Sequence, residues 1–238
     1  MLQAINLTKR YDRKTALREL NLHVQAGEIY ALLGANGAGK STTINLFMGF
    51  LEPTSGQVFI DGIELREGGA ATKPLVAYIP ENVMLYPYLT GLQNLAFFSG
   101  LSGRNYTDTQ LRDLLNRAGL QTDAHAQNVG TYSKGMRQKV GIAMALAKQA
   151  KALFLDEPTS GLDPLASNEF SNLIRSIRDD GVAILMVTHD LFRAKEAADR
   201  IGIMRDGVLV CELDAADVTP AELEAIYMKA VSNEPVTP

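Results

Sequence analysis

The stretch GANGAGKST, Gly34 to Thr42, constrains this chain more than any other. Gly34, Gly39, Lys40 and Ser41 match G-x-x-x-x-G-K-[ST], between the apolar run EIYALLG and the helically spaced run KSTTINLFMGFL. A strand is therefore expected to end at Gly34, with a helix over the run that follows. The glycines let the backbone wrap closely, so that successive N–H groups face a bound anion. The dipole of the helix that follows strengthens that field. Lys40 is placed to reach the β- and γ-phosphates of a nucleotide, and the Ser41 hydroxyl to reach Mg²⁺. Asn36, Gly37, Gly39, Lys40, Ser41 and Thr42 are the expected phosphate-binding residues.

The remaining segments fit an α/β fold with a largely parallel sheet. QAINLTKRY and LRELNLHV alternate like exposed antiparallel strands, and GQVFIDG is a strand closed by a turn. From about Pro80 to Thr131 the character turns helical, with GLQNLAFFSGL and DTQLRDLLNRAGL as amphipathic helices inserted into the α/β core. The core resumes with the strand ALFLDEP, the helix ASNEFSNLIRSIRDD, the strand VAILMVTHD and the strand pair in RIGIMRDGVLVCEL. The expected organisation is one domain over 1–238. Its nucleotide-binding core covers 1–79 and 132–213, a helical subdomain 80–131, and a helix with a Pro-containing tail 214–238.

Composition narrows the function classes. A net charge of −4 argues against nucleic acid as a partner. The single cysteine, Cys211, excludes an internal disulfide framework, and its strand-like setting GVLVCEL predicts a buried thiol. The first residues, MLQAINLTKRYD, lack the apolar stretch of a secretory signal, and no run approaches the roughly 20 apolar residues of a membrane span.

Two further strand ends carry chemistry. In KALFLDEPTSGLDP an apolar strand delivers Asp156 at its C-terminal end, where ligands of parallel sheets bind. Asp156 is the candidate Mg²⁺ carboxylate, and Glu157, pointing differently, is the candidate base for an attacking water. In MVTHDL another apolar strand ends at His189, a candidate donor to a γ-phosphate. His23 and His125 have no motif around them.

The stretch TYSKGMRQKVGIAMAL raises a separate question. Ser133 stands at an N-cap position, yet Lys134, Arg137 and Lys139 crowd a helix start whose dipole disfavours cations.

Gly34–Ser41, YSKGMRQ, LFLDEPTSGLDP and VTHD occur in the order and approximate spacing found in the nucleotide-binding subunits of ABC (ATP-binding cassette) transporters, which this chain resembles from about Leu2 to Leu213. The resemblance implies a P-loop NTPase (RecA-like) core with an antiparallel β subdomain and a helical subdomain. It implies that Tyr11 stacks on adenine and that YIPE is the family's glutamine loop, which contacts Mg²⁺. Here Glu81 takes the glutamine's place, as a carboxylate still able to ligate the metal. It implies that two subunits pair head to tail around ATP. Ser133 and Gly135 of the signature segment would face the γ-phosphate held by the other subunit, and Asp163 of SGLD would cross to it. In the signature pattern L-S-G-G-Q, Lys134 stands where a glycine is usual and Met136 where a glutamine is usual. Lys134 either adds charge near the phosphate or points to solvent, while Arg137 and Lys139 are expected in surface or subdomain contacts.

The same resemblance implies an ATPase acting on the cytoplasmic side of a membrane, held there by a separate multi-pass permease. The helical subdomain would dock that permease through NVMLYPYLTGLQNLAFF. Tyr86, Tyr88, Phe97 and Phe98 are candidates for the docking groove, with the insertion's own core the expected place of the two phenylalanines. YIPE and YSKGMRQKVGIAMAL are similar to the export-type cassettes called ABC-2. The alternative is a soluble ABC ATPase uncoupled from transport, and the coiled-coil or zinc insertions of the DNA-repair class are absent from the sequence.

Overall fold

A computed structural model describes residues 1–12, 14–66 and 69–232 of the chain. It contains two sheets. One is antiparallel, in the order β2 (Lys14–Val24), β1 (Leu2–Tyr11), β4 (Ser55–Ile60), β5 (Ile63–Glu64). The other has six strands in the order β10 (Val208–Asp214), β9 (Arg200–Arg205), β3 (Ile29–Gly34), β8 (Ala183–Thr188), β7 (Ala152–Asp156), β6 (Val76–Ile79). Its strands pair parallel from β9 to β6, and β10 closes one edge antiparallel.

Every residue of β3 and β8 is buried, as both faces of a parallel sheet require. Their alternate residues feed two separate cores. Ile29, Ala31, Leu33, Ile184 and Met186 pack with α4 (Lys134–Lys148) and α5 (Pro164–Asp179). Tyr30, Leu32, Leu185 and Val187 pack with α1 (Lys40–Phe47) and with Leu2, Leu7 and Leu17 of the antiparallel sheet. The sheet is thus covered on both sides, and its C-terminal edge presents Gly34, Ile79, Asp156 and Thr188 together.

Between β6 and β7 lie α2 (Gly91–Leu101), α3 (Asp108–Arg117) and α4. Both α2 and α3 open on a capping box, Thr90 with Gln93 and Thr107 with Gln110. Arg117, Lys139 and Leu115 on or beside these helices face α5 and the sheet side of the core. After β8 come α6 (Leu191–Ala197), the β9–β10 pair, and α7 (Pro220–Ser232). The Pro-containing end expected beyond α7 lies outside the described residues.

Four sequence expectations change. The helix after the glycine loop stops at Phe47 instead of continuing to Leu51, because Gly49 turns the chain at φ 68° and leaves Phe50 exposed. Strand β6 and helix α6 are too short to show a period and were not expected. Cys211 is half-buried, since β10 is an edge strand; burial still pushes its thiol up. Phe97 is 42% exposed and joins Tyr86 and Phe98 in a surface aromatic cluster with ring centroids 5.0–5.9 Å apart. Helix α2 turns Gly91, Asn94, Leu95 and Ser99 inward, and this stripe leaves no room for Phe97 in the core.

Candidate nucleotide site

The loop from Gly34 to Lys40 closes through glycine conformations. Gly37 and Gly39 adopt φ 83° and 109°, and a Cβ on Gly39 would stand 2.8 Å from the Ala16 carbonyl. Gly39 caps α1, which carries no acid in its first turn. Lys40 is buried, and its Nζ donates to the carbonyls of Gly34 at 2.6 Å and Ala35 at 3.3 Å. Burial lowers the Lys40 pKa, while Glu157 and Asp156 oppose that shift.

This loop forms one wall of a cavity of about 420 Å³. Tyr11, Asn36, Gly37, Gly39, Lys40, Ser41, Thr42, Glu81, Asp156 and Glu157 all line it. Tyr11 stands at the mouth, 42% exposed, with Lys9 Nζ 5.1 Å from its ring centroid. Ser41, Glu81 and Asp156 bring oxygen donors to the same space, a donor set that suits Mg²⁺. Among the described residues no group of three His, Cys, Asp or Glu side chains could hold a metal unaided.

Asp156 ends β7, and its carboxyl is raised above the ordinary range by burial, with the Tyr78 hydrogen bond acting against that shift. The Tyr78 hydroxyl donates to Asp156 Oδ2 at 3.2 Å, and burial beside that carboxylate pushes the phenol up to about 12. Glu157, the next residue, is in the left-handed region at φ 46°, a conformation costing an L-residue roughly 1 kcal/mol. That turn sends its side chain away from Asp156 toward the end of β8. There Thr188 Oγ1 donates to Glu157 Oε2 at 3.1 Å, and His189 Nδ1 lies 2.9 Å from Glu157 Oε1.

Ser133, Gly135 and Asp163 do not line the cavity. Ser133 caps α4, accepting from the Met136 N–H at 3.2 Å, and Asp163 caps α5, accepting from the Ala166 N–H at 2.8 Å. A Cβ on Gly135 would meet nothing closer than 3.6 Å, and Gly135 has no positive φ. Within one chain nothing demands glycine there. Tyr78 and Thr188 were missed by sequence reasoning. Thr188 is adjacent to His189 in VTHD, whereas Tyr78 reaches Asp156 only through the β6–β7 register.

Residues 17–160 match the family described as ABC transporter. The chain belongs to the ABC transporter family. It is an ATP-binding cassette, an ATPase domain with the family's fold, and carries an antiparallel sheet beside the P-loop core. It is 37% identical over 214 residues to the uncharacterized ABC transporter ATP-binding protein YdbJ of Bacillus subtilis, covering 90% of this chain and 69% of YdbJ. It is 39% identical over 228 residues to the probable multidrug ABC transporter ATP-binding protein YbhF of Escherichia coli, covering 94% of this chain but only 38% of YbhF. A dimeric post-hydrolysis structure of the ATP-binding cassette MJ0796, bound to ADP and Pi, is similar with a TM-score of 0.80 and 27% identity. That match covers 90% of this chain and 99% of the MJ0796 chain. His125, which has no motif, is fully buried with Nε2 3.1 Å from the Leu120 carbonyl.

Proposed function

We propose that two copies of this cassette close head to tail around two Mg·ATP, hydrolyse them, and so drive a separate multi-pass transmembrane permease, for export. The observation that carries the reading is the split between two half-sites. Lys40, Ser41, Asp156 and Glu157 line one cavity, while Ser133 and Gly135 stand outside it on another helix start. A phosphate held by the first half-site in one copy would meet the second half-site of its partner.

In that arrangement Lys40 exchanges the Gly34 and Ala35 carbonyls for phosphate oxygens. Ser41 and Asp156 hold Mg²⁺, which neutralises charge on the phosphates, and Glu81 extends the oxygen set. Tyr11 offers a ring face to adenine. Glu157 accepts the proton of the attacking water, a role that general bases support with about 10²–10⁴-fold in rate. Thr188 and His189 hold that carboxylate by both oxygens; to donate to the γ-phosphate as well, His189 would leave Glu157 or carry a second proton. Ser133, the N–H of Gly135, and Asp163 complete the site from the partner. ATP binding then closes the pair and hydrolysis opens it, a ligand-driven population shift.

The permease reading draws on family membership and on an apolar groove. Tyr78, Val83, Met84, Phe98, Leu101 and Met144 line a cavity of about 690 Å³, with Met84 83% and Leu101 71% exposed. Of the four aromatics expected at the docking groove only Phe98 lines this cavity, with Tyr86 and Phe97 packed against Phe98. Exposed apolar patches of this kind mark partner sites, and a permease's cytoplasmic helix is the occupant in this reading. Among the described residues no helix is long and apolar enough to cross a membrane; in this reading the permease supplies the membrane contact, on its cytoplasmic side. The export reading is supported by similarity to YbhF, named a probable multidrug ABC transporter ATP-binding protein, and by the resemblance of the YIPE and YSKGM segments to export-type cassettes. Purification of the tagged protein from native membranes tests the coupling. A co-purifying multi-pass membrane protein is expected, and recovery with cytosolic proteins alone would favour a soluble ABC ATPase.

A further inference from the structure

Glu81 and Lys134 are two places where this chain departs from the family pattern near the nucleotide, and the fold brings them together. Lys134 Nζ lies 3.3 Å from Glu81 Oε1, and the Ser160 hydroxyl, in the loop after β7, donates to the same oxygen at 3.0 Å. The Ser160 hydrogen bond and the Lys134 ammonium together hold the Glu81 carboxyl below the ordinary range. Gln138 of α4 also donates to the Glu81 carbonyl at 3.4 Å, so the loop is tied to the helix by backbone as well as side chain. The neighbouring cations have other partners. Arg137 donates to the Tyr132 carbonyl at 2.6 Å, and Lys139 pairs with Glu169 at 2.7 Å.

Charge balance gives this pair a consequence. Glu81 lines the same cavity as Asp156 and Glu157, so an arriving polyanion meets three carboxylates. A bare charge at Glu81 opposes phosphate entry, and an ammonium held against it cancels most of that field at longer range. We propose that Lys134 is the counter-charge of Glu81, a positioning residue that fixes this carboxylate at the rim of the cavity and makes its charge compatible with ATP, so that the two departures act as one matched pair. The proposal rests on the reading that this cavity takes ATP. Lys134 is therefore neither free in solvent nor held in reserve for phosphate alone.

The pair predicts opposite signs for its two halves. Losing the Lys134 charge leaves Glu81 bare and weakens ATP binding; losing the Glu81 charge leaves Lys134 bare and strengthens it. Losing both restores neutrality. An ion pair with only a structural role would instead lower stability in both single variants and leave nucleotide affinity unchanged.

The test is a titration of the full chain with a fluorescent ATP analogue, with Mg²⁺ chelated so that the reading is of charge. The variants are Lys134→Gln, Glu81→Gln and Glu81→Gln/Lys134→Gln, each also followed by thermal melting to separate lost fold from lost affinity. Lys134→Gln is expected to weaken binding about three- to fivefold and Glu81→Gln to strengthen it by a similar factor, the scale of a partly exposed ion pair. The double variant should return to within about twofold of the parent. Both single effects should shrink at high salt. Single variants that move affinity the same way, or not at all, would overturn the matched pair. A parent that binds the analogue neither with nor without Mg²⁺ would overturn the reading of the cavity, and the proposal with it.

Discussion

His189 and Thr188 hold the two oxygens of Glu157 separately, His189 Nδ1 at 2.9 Å from Oε1 and Thr188 Oγ1 at 3.1 Å from Oε2. The contact joins the end of β8 to the residue after β7, and it fixes a carboxylate whose backbone is already turned by φ 46°. A side chain held at both oxygens keeps one orientation toward water in the cavity, which is what proton transfer to a positioned base requires.

Glu157→Gln keeps the shape of that side chain and removes its basicity. Steady-state ATP hydrolysis should fall by roughly two or more orders of magnitude. Equilibrium binding of ATP should persist, because Lys40 and the glycine loop are untouched. Unchanged turnover would remove Glu157 from the role of base.

The hydrogen bond from Tyr78 opposes the rise that burial imposes on Asp156. Tyr78→Phe removes the opposition, so the Asp156 pKa goes further up. As pH falls, the carboxylate of this variant protonates earlier, and Mg²⁺-dependent nucleotide binding is lost at a higher pH than in the parent. The pH profile of Mg·ATP binding by calorimetry gives the comparison. Superimposable profiles would mean that Tyr78 does not tune Asp156.

Gly135 has room for a side chain in the single subunit, since its nearest Cβ neighbour is Leu162 at 3.6 Å. It also sits in the first turn of α4, where an acid is favoured by the helix dipole. Gly135→Asp should therefore melt at or slightly above the parental temperature while hydrolysis falls tenfold or more, because the new carboxylate meets the partner's phosphate. A loss of activity accompanied by an equal loss of stability would place the need for glycine within one chain instead.

Much of the site was legible because its parts are local in sequence. The glycine loop, the apolar run ending at Asp156 and the run ending at His189 each announce a strand end within a few residues, and a parallel sheet gathers strand ends along one edge. What stayed hidden depends on register between distant segments. Tyr78 meets Asp156 because β6 pairs with β7, and Lys134 meets Glu81 because α4 packs on the loop after β6. Strand β6 is four residues long, too short for its pattern to register. Phe97 read as core because it is a large apolar residue of an amphipathic helix, whereas the stripe of α2 that turns inward is partly polar, Asn94 and Ser99 beside Leu95.

The central claim, that ATP closes two copies of this chain through the second half-site, is tested most directly by the mass of Glu157→Gln in solution. Light scattering after size exclusion should give the monomer mass without nucleotide and twice that mass with Mg·ATP, reverting to monomer when Gly135→Asp is added. A Glu157→Gln chain that binds Mg·ATP and stays monomeric at high protein concentration would contradict it.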